Sequence, residues 1–140
     1  MINLNGAKRI LITGSPKSGK TTLSREIGDS LYNYSRFHTD DLISPDKQNW
    51  SEVSQIVSDK LYTMLHNSFI YEGVAIPRAL RKFLNEYSEY REKPCDLIIY
   101  MPNPRIRLTK GQESMRKGVE TVWREILPQL ISLGVRIENV

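Results

Sequence analysis

The sequence is poor in cysteine and contains no long apolar run. Cys95 is the only cysteine among 140 residues, so no intramolecular disulfide can form and a structural zinc site is not expected. No apolar run approaches the roughly 18 residues that span a bilayer, which argues against a membrane-spanning helix. Residues 1–6 lack the basic and apolar blocks of a signal peptide. These absences predict a cytoplasmic protein without a membrane partner.

The composition is typical of a globular chain with one domain. Hydrophobic residues make up 39% of the sequence and charged residues 26%, and no internal repeat, low-complexity tract or linker is visible. We therefore predict a single domain over 1–140. The net charge of +4 permits a nucleic-acid partner, but the basic residues are spread along the chain. This spread favours a solvated surface with a nucleotide pocket, and the oligomeric state stays open.

The strongest local signal is an octapeptide that fits the pattern G-x-x-x-x-G-K-[ST], namely Gly14-Ser15-Pro16-Lys17-Ser18-Gly19-Lys20-Thr21. It follows an apolar run and leads into a segment with helical spacing, which is the context that the motif requires. Such a loop holds phosphates with backbone N–H groups and the positive end of a helix dipole. Lys20 would reach the β- and γ-phosphates, and the Thr21 hydroxyl would help to hold Mg²⁺. The octapeptide and Thr22 are therefore the predicted binding site for a nucleoside triphosphate such as ATP.

Five predicted strands alternate with four predicted helices. The strands are expected at 9–13, 35–39, 69–71, 96–101 and 135–140. The first helix is expected at 20–33, the second from an N-cap at Ser51 to 67, and the third from Pro77 to 87. The fourth is expected from 115 to a cap at Gly134, with a kink or restart at Pro128. Residues 44–50 are expected to form a loop. This alternation indicates parallel strands with right-handed crossovers. The expected fold class is α/β, a three-layer P-loop NTPase fold with a five-stranded parallel sheet.

Acidic residues follow the second and third predicted strands. Asp40 and Asp41 come after strand two and Glu72 after strand three, at the sheet edge where α/β proteins bind ligands. Phosphoryl transfer needs an oriented nucleophile and a metal ion between phosphate oxygens. One carboxylate can serve the first need and a second can hold Mg²⁺, so the candidate metal ligands are Thr21, Asp40 and Glu72. Aspartates also favour solvated turns, which is the alternative explanation of the pair.

These motifs together resemble the small P-loop kinases. The architecture resembles the adenylate, gluconate and shikimate kinase group, and the loop followed by an Asp-Asp pair resembles the 5′-kinase domain of phage polynucleotide kinase; the chain also resembles predicted kinases of bacteriophages. The resemblance implies that Asp40 orients or deprotonates the acceptor and that Asp41 supports metal or substrate. It also implies that Glu72, Arg78 and Arg81 face the acceptor substrate.

The same resemblance places a lid at 102–117, after the fourth strand. In such kinases, lid arginines close over the triphosphate and stabilise charge in the transition state. The sequence does not choose among the basic residues of this segment, which are Arg105, Arg107, Lys110, Arg116 and Lys117; Arg105 is taken as the catalytic candidate. A solvated basic face is the alternative for any one of them.

Two classes of function fit these features. The first is a Mg²⁺- and ATP-dependent kinase whose acceptor is a nucleoside, nucleotide, polynucleotide 5′ end or small metabolite. The second is a P-loop ATPase or nucleotide-sensing regulator without a small-molecule acceptor. A switch-type ATPase needs an acidic residue on a neighbouring strand, and the fourth strand ends in Tyr100-Met101-Pro102 without one. The pattern therefore favours the kinase, and binding without turnover is a third possibility. The sequence does not identify the acceptor or decide between ATP and GTP.

Overall fold

A parallel sheet forms the centre of the computed structural model, which describes residues 2–31, 33–42, 49–87 and 92–140. Within these residues the strand order is β2-β3-β1-β4-β5, and every neighbouring pair is parallel. The strands are β1 (Arg9–Gly14), β2 (Ser35–His38), β3 (Phe69–Glu72), β4 (Leu97–Met101) and β5 (Arg136–Asn139). The three central strands are almost wholly buried, as expected for a sheet covered on both faces, and the two outer strands are partly exposed.

Helices cover both faces of the sheet and complete three layers. They are α1 (Lys20–Ser30), α2 (Trp50–Thr63), α3 (Ile76–Glu86) and α4 (Lys110–Ser132), with a short 3₁₀ helix at Thr39–Leu42. Alternate residues of β1 point to opposite faces, so Leu11 packs with α2, α3 and α4 while Ile10 and Ile12 pack with α1. No helix among the described residues is long and apolar enough to cross a membrane. The predicted α/β class and the five parallel strands are confirmed.

The second helix begins earlier and ends earlier than predicted. Its N-cap is Asn49 and not Ser51, because the Asn49 side chain accepts a hydrogen bond of 2.9 Å from the backbone N–H of Glu52. The helix ends at Thr63, four residues before the predicted end, and α1 likewise ends at Ser30 and not at 33. Most of the predicted loop at 44–50 lies outside the described residues.

The last helix is longer than predicted and continuous. It begins at Lys110 because Thr109 and Gln112 form a capping box, in which each side chain bonds the other residue's backbone N–H. It passes through Pro128 without ending, since buried residues on both sides of the proline, such as Ile126 and Leu130, pack into the same core. The predicted lid segment therefore consists of a loop at 102–109 and the first two turns of α4.

Candidate active site

The octapeptide forms a loop between β1 and α1 at the carboxyl edge of the sheet. Ser15 N–H donates to the Met101 carbonyl over 2.9 Å, which ties the loop to the end of β4. Gly19, with φ of 94°, is the N-cap of α1 and offers no side chain to cap the helix. The first turn of α1 also lacks an acidic residue, whereas α2 and α4 each have a side-chain cap. The N–H groups at the start of α1 thus lack a side-chain acceptor from the cap or first turn, which suits an anionic ligand.

Lys20 holds a buried positive charge beside this loop. Its Nζ lies 2.5 Å from the Ser15 carbonyl oxygen and 3.4 Å from Ser18 Oγ, and the residue is only 7% exposed. Burial lowers the pKa of Lys20, although the charges of Glu72 and Asp40 oppose this shift. Within the described part of the chain no carboxylate lies close enough to form an ion pair with it. The ammonium is therefore available to a phosphate.

Glu72 connects the third strand to the loop. Its Oε1 accepts a hydrogen bond of 3.0 Å from Thr21 Oγ1 and also contacts His38 Nδ1. The residue is 4% exposed. His38 and Glu72 are register partners on neighbouring strands, which explains why the two side chains meet. A threonine hydroxyl beside a carboxylate supplies the hard oxygen ligands that Mg²⁺ prefers.

The carbonyl and φ angle of Gly73 shape the turn that follows Glu72. Gly73 has φ of 148°, its N–H donates to the Ile12 carbonyl over 3.0 Å, and its carbonyl accepts from Thr13 Oγ1 over 2.8 Å. A Cβ at this position would lie 1.8 Å from Thr39 Oγ1. A side chain at Gly73 would therefore displace the start of the segment that carries Asp40.

A cavity of about 490 Å³ opens over the loop and contains most of the predicted site. Asp40 and Glu72 face it from the ends of the second and third strands, together with the residues at 16–22. Asp41 does not line it. Burial and then the Asp41 charge raise the pKa of Tyr71 to about 12. Of the two adjacent aspartates, the cavity wall therefore includes Asp40 alone.

The predicted lid contributes to the site in an unexpected way. Arg105 donates its backbone N–H to the Lys17 carbonyl over 2.8 Å, and its guanidinium lies against Gly19, where a Cβ would be 2.4 Å from Arg105 Cζ. Arg105 therefore covers the outside of the loop without lining the cavity. From the start of α4, Gln112 and Met115 line the cavity. Arg116 instead bonds Glu113 and Glu120 on its own helix, and Arg107, Lys110 and Lys117 do not line the cavity either.

The two arginines predicted to face the acceptor lie in different surroundings. Arg78 borders a smaller cavity that adjoins the first one. Arg81, one turn later on α3, forms an ion pair of 3.1 Å with Glu125 of α4 and lines neither cavity. The cavity is also lined by residues that the sequence analysis did not assign to it, namely Trp50, Val74, Gln112 and Met115, and His38 contacts Glu72. Of these, Trp50 and His38 could have been found from the sequence, because they are aromatic or polar residues close to the Asp-Asp pair.

Among solved structures, the chain is similar to shikimate kinase from Acinetobacter baumannii in complex with shikimate. The identity is 12% and the TM-score is 0.55, and the match covers 98% of this chain and 84% of that chain. No protein-family model matches the sequence, and no curated protein matches it. At this identity the likeness establishes the fold. It confirms the predicted P-loop NTPase fold of the kinase type.

Proposed function

We propose that the protein is a Mg²⁺- and ATP-dependent kinase that transfers the γ-phosphoryl group to a hydroxyl or phosphate acceptor. The observation that carries the proposal is one cavity that contains the phosphate loop, the buried Lys20, the Thr21–Glu72 pair and Asp40. A P-loop kinase fold is the setting in which such a cavity performs phosphoryl transfer. A cytoplasmic location suits an ATP-dependent enzyme whose single cysteine is buried.

The residues fit a magnesium ion that is shared with the nucleotide. The described residues contain no cluster of three or more His, Cys, Asp or Glu side chains that would hold a metal unaided. Thr21 and Glu72, with Asp40 in the same cavity, suit an ion that keeps water and phosphate oxygens among its ligands. When bound, Mg²⁺ would neutralise charge on the phosphate oxygens.

In the proposed reaction, Asp40 orients the acceptor and takes its proton if the acceptor is a hydroxyl. The acceptor oxygen forms a bond to the γ-phosphorus while the bond from that phosphorus to the bridging oxygen of the diphosphate breaks. Lys20 and the N–H groups of the loop stabilise the negative charge on the transferred group and on the diphosphate. We assign Arg105 to the triphosphate as well, because its guanidinium already lies against Gly19. Asp41, Arg78 and Arg81 are further candidates around the acceptor.

The test is a transfer assay with γ-labelled ATP, Mg²⁺ and acceptors of four kinds: nucleosides, nucleotides, oligonucleotide 5′ ends and small hydroxylated metabolites. We expect label to move from ATP to at least one acceptor with the wild-type chain and not with Lys20→Met, which controls for contaminating kinases. Label found only as free phosphate, whatever the acceptor, would reject the proposal in favour of an ATPase. Binding of ATP without any turnover would indicate a nucleotide sensor.

A further inference from the structure

A second cavity, of about 250 Å³, adjoins the phosphate cavity and shares three lining residues with it. Trp50, Val74 and Met115 form the border between the two. The second cavity extends between α3 and α4, where Arg78 and Val119 also line it. Because the two cavities share these walls, a molecule in the second lies next to the cavity that contains the phosphate loop and Asp40.

The walls of this second cavity are apolar apart from one cation. An indole, a thioether and aliphatic side chains surround it, and no described lining residue carries a hydroxyl, amide or carboxylate side chain. Such walls suit the faces of a planar ring, through dispersion and sulfur–aromatic contacts. They suit a polyhydroxylated ring poorly, because each buried hydroxyl would lose its hydrogen bonds to water without a replacement.

The cation is Arg78, and its guanidinium is open. No described residue forms an ion pair or a hydrogen bond with this side chain. Its Nη2 would lie 3.6 Å from a Cβ at Gly118 of α4. A guanidinium binds carboxylates and phosphates through two parallel hydrogen bonds. A cavity of about 150 Å³ can hold a benzene ring, so 250 Å³ is enough for one ring and a small anionic group.

We propose that this cavity is the acceptor subsite and that it takes a molecule with one planar ring and a single anionic group, a carboxylate or a phosphate. The inference rests on the proposed kinase function, and it specifies the class of acceptor. Trp50 and Met115 contact the ring, and Arg78 binds the anion. The hydroxyl to be phosphorylated then lies on the side of Asp40.

The experiment measures binding by calorimetry, in the presence of Mg²⁺ and a non-hydrolysable ATP analogue, so that it does not depend on turnover. The probes are two matched pairs, 4-hydroxyphenylacetate with its neutral amide, and thymidine 3′-monophosphate with thymidine, together with shikimate as a non-aromatic polyhydroxylated anion. We expect one charged ring probe to bind at least about tenfold more tightly than its neutral partner and than shikimate. The pair that shows the difference identifies the anion as carboxylate or phosphate.

Three variants connect this preference to the cavity. Arg78→Gln should remove the advantage of the charged probe, a loss of about 10–100-fold, and leave the neutral partner unaffected. Trp50→Leu should weaken both ring probes, and Trp50→Phe should restore them. Arg124→Gln is the control, because this exposed guanidinium lies on α4 outside both cavities and bonds Glu120. Thermal unfolding would verify that each variant is folded.

Equal binding of charged and neutral probes, tighter binding of shikimate, absence of binding by every ring probe, or an unchanged preference in Arg78→Gln would each overturn this proposal. None of these outcomes bears on phosphoryl transfer itself, which the assay with labelled ATP decides separately. Conversely, ring-anion binding that depends on Arg78, without transfer to any acceptor, would reject the kinase and keep the binding site.

Discussion

The charged side chains at the two edges of the sheet differ in whether they have partners within the chain. At the amino edge, Asp96 accepts hydrogen bonds from Arg9 Nη2 and from the backbone N–H groups of Arg9 and Lys8, over 2.9, 2.9 and 3.1 Å, and Lys93 lies 3.6 Å away. At the carboxyl edge, Lys20 contacts neutral oxygens, and neither Arg78 nor Arg105 forms an ion pair with a described residue. The amino edge neutralises its charges internally, and the carboxyl edge leaves these three cations without an ionic partner among the described residues.

This difference separates stability from function. A charge that is paired within the chain can stabilise the fold, whereas a buried charge without an ionic partner, such as that of Lys20, costs stability unless a ligand compensates for it. Substitutions at the amino edge should therefore change the free energy of unfolding and leave activity intact. Substitutions at the carboxyl edge should do the reverse.

The largest expected effect is that of Lys20→Met on activity. Removal of the cation should lower kcat/KM by about 10³–10⁵-fold, as expected for a positive group on the transferred phosphoryl. The free energy of unfolding should stay equal or rise, because burial already disfavours the charged form, as the lowered pKa of Lys20 shows. Kinetics and urea unfolding would measure both quantities. Lys8→Met at the amino edge is the control. A Lys20 variant that loses stability together with activity would contradict the proposed separation of stability and function between the two edges.

The next effect should distinguish the two neighbouring aspartates. Asp40→Asn keeps the side-chain volume and should lower phosphoryl transfer by about 10²–10⁴-fold with little change in ATP affinity, if Asp40 acts as the base. Asp41→Asn should have a much smaller effect, because Asp41 does not line the cavity. Steady-state kinetics with the two variants in parallel would measure this. A higher Mg²⁺ requirement in Asp40→Asn would assign that residue to the metal, and a larger defect in Asp41→Asn would reverse the assignment.

The phosphate loop was predictable because its information is contiguous. Strand, loop and helix follow one another over 9–30, and the fixed glycines and Lys20 occupy positions that local chemistry dictates. The strand count and the parallel pairing were predictable for a similar reason, since apolar runs alternate with helical spacing.

The rest of the site depends on which distant segments become neighbours. The sequence predicted strands two and three but not their adjacency, and this adjacency places His38 beside Glu72. The sequence also predicted a lid over 102–117. In the structure, the capping box at Thr109 starts α4 at Lys110, and Met115 of this helix lines the cavity. Strand order and the packing of α3 against α4 are properties of the whole core, which local spacing does not encode.

A smaller effect should follow from loss of the contact between His38 and Glu72. His38 lies outside the cavity and acts as a positioning residue, since its Nδ1 meets the Glu72 oxygen that Thr21 also bonds. His38→Ala should raise the Mg²⁺ concentration for half-maximal activity about tenfold, whereas His38→Asn, which can still donate a hydrogen bond, should restore it in large part. His66→Ala, at an exposed position, is the control. An unchanged Mg²⁺ dependence in His38→Ala would show that the contact is only structural.

The smallest expected effect lies at the amino edge and concerns stability alone. Burial acts to raise the pKa of Asp96, but the hydrogen bonds and charge of Arg9, with the Lys8 N–H, outweigh it and lower the pKa from 3.8 to about 2. Because the folded-state pKa is the lower one, this stabilisation is complete above pH 3.8 and is lost as the pH falls towards 2. Asp96 is only partly buried and solvent screens its ion pair in part, so the contribution should be about 1 kcal/mol. Urea unfolding should show Asp96→Asn less stable than wild type by this amount at neutral pH, with the difference closing near pH 2. An equal kcat/KM in the two proteins would confirm that this edge contributes to stability and not to turnover, and a pH-independent difference in stability would contradict the role of the ion pair.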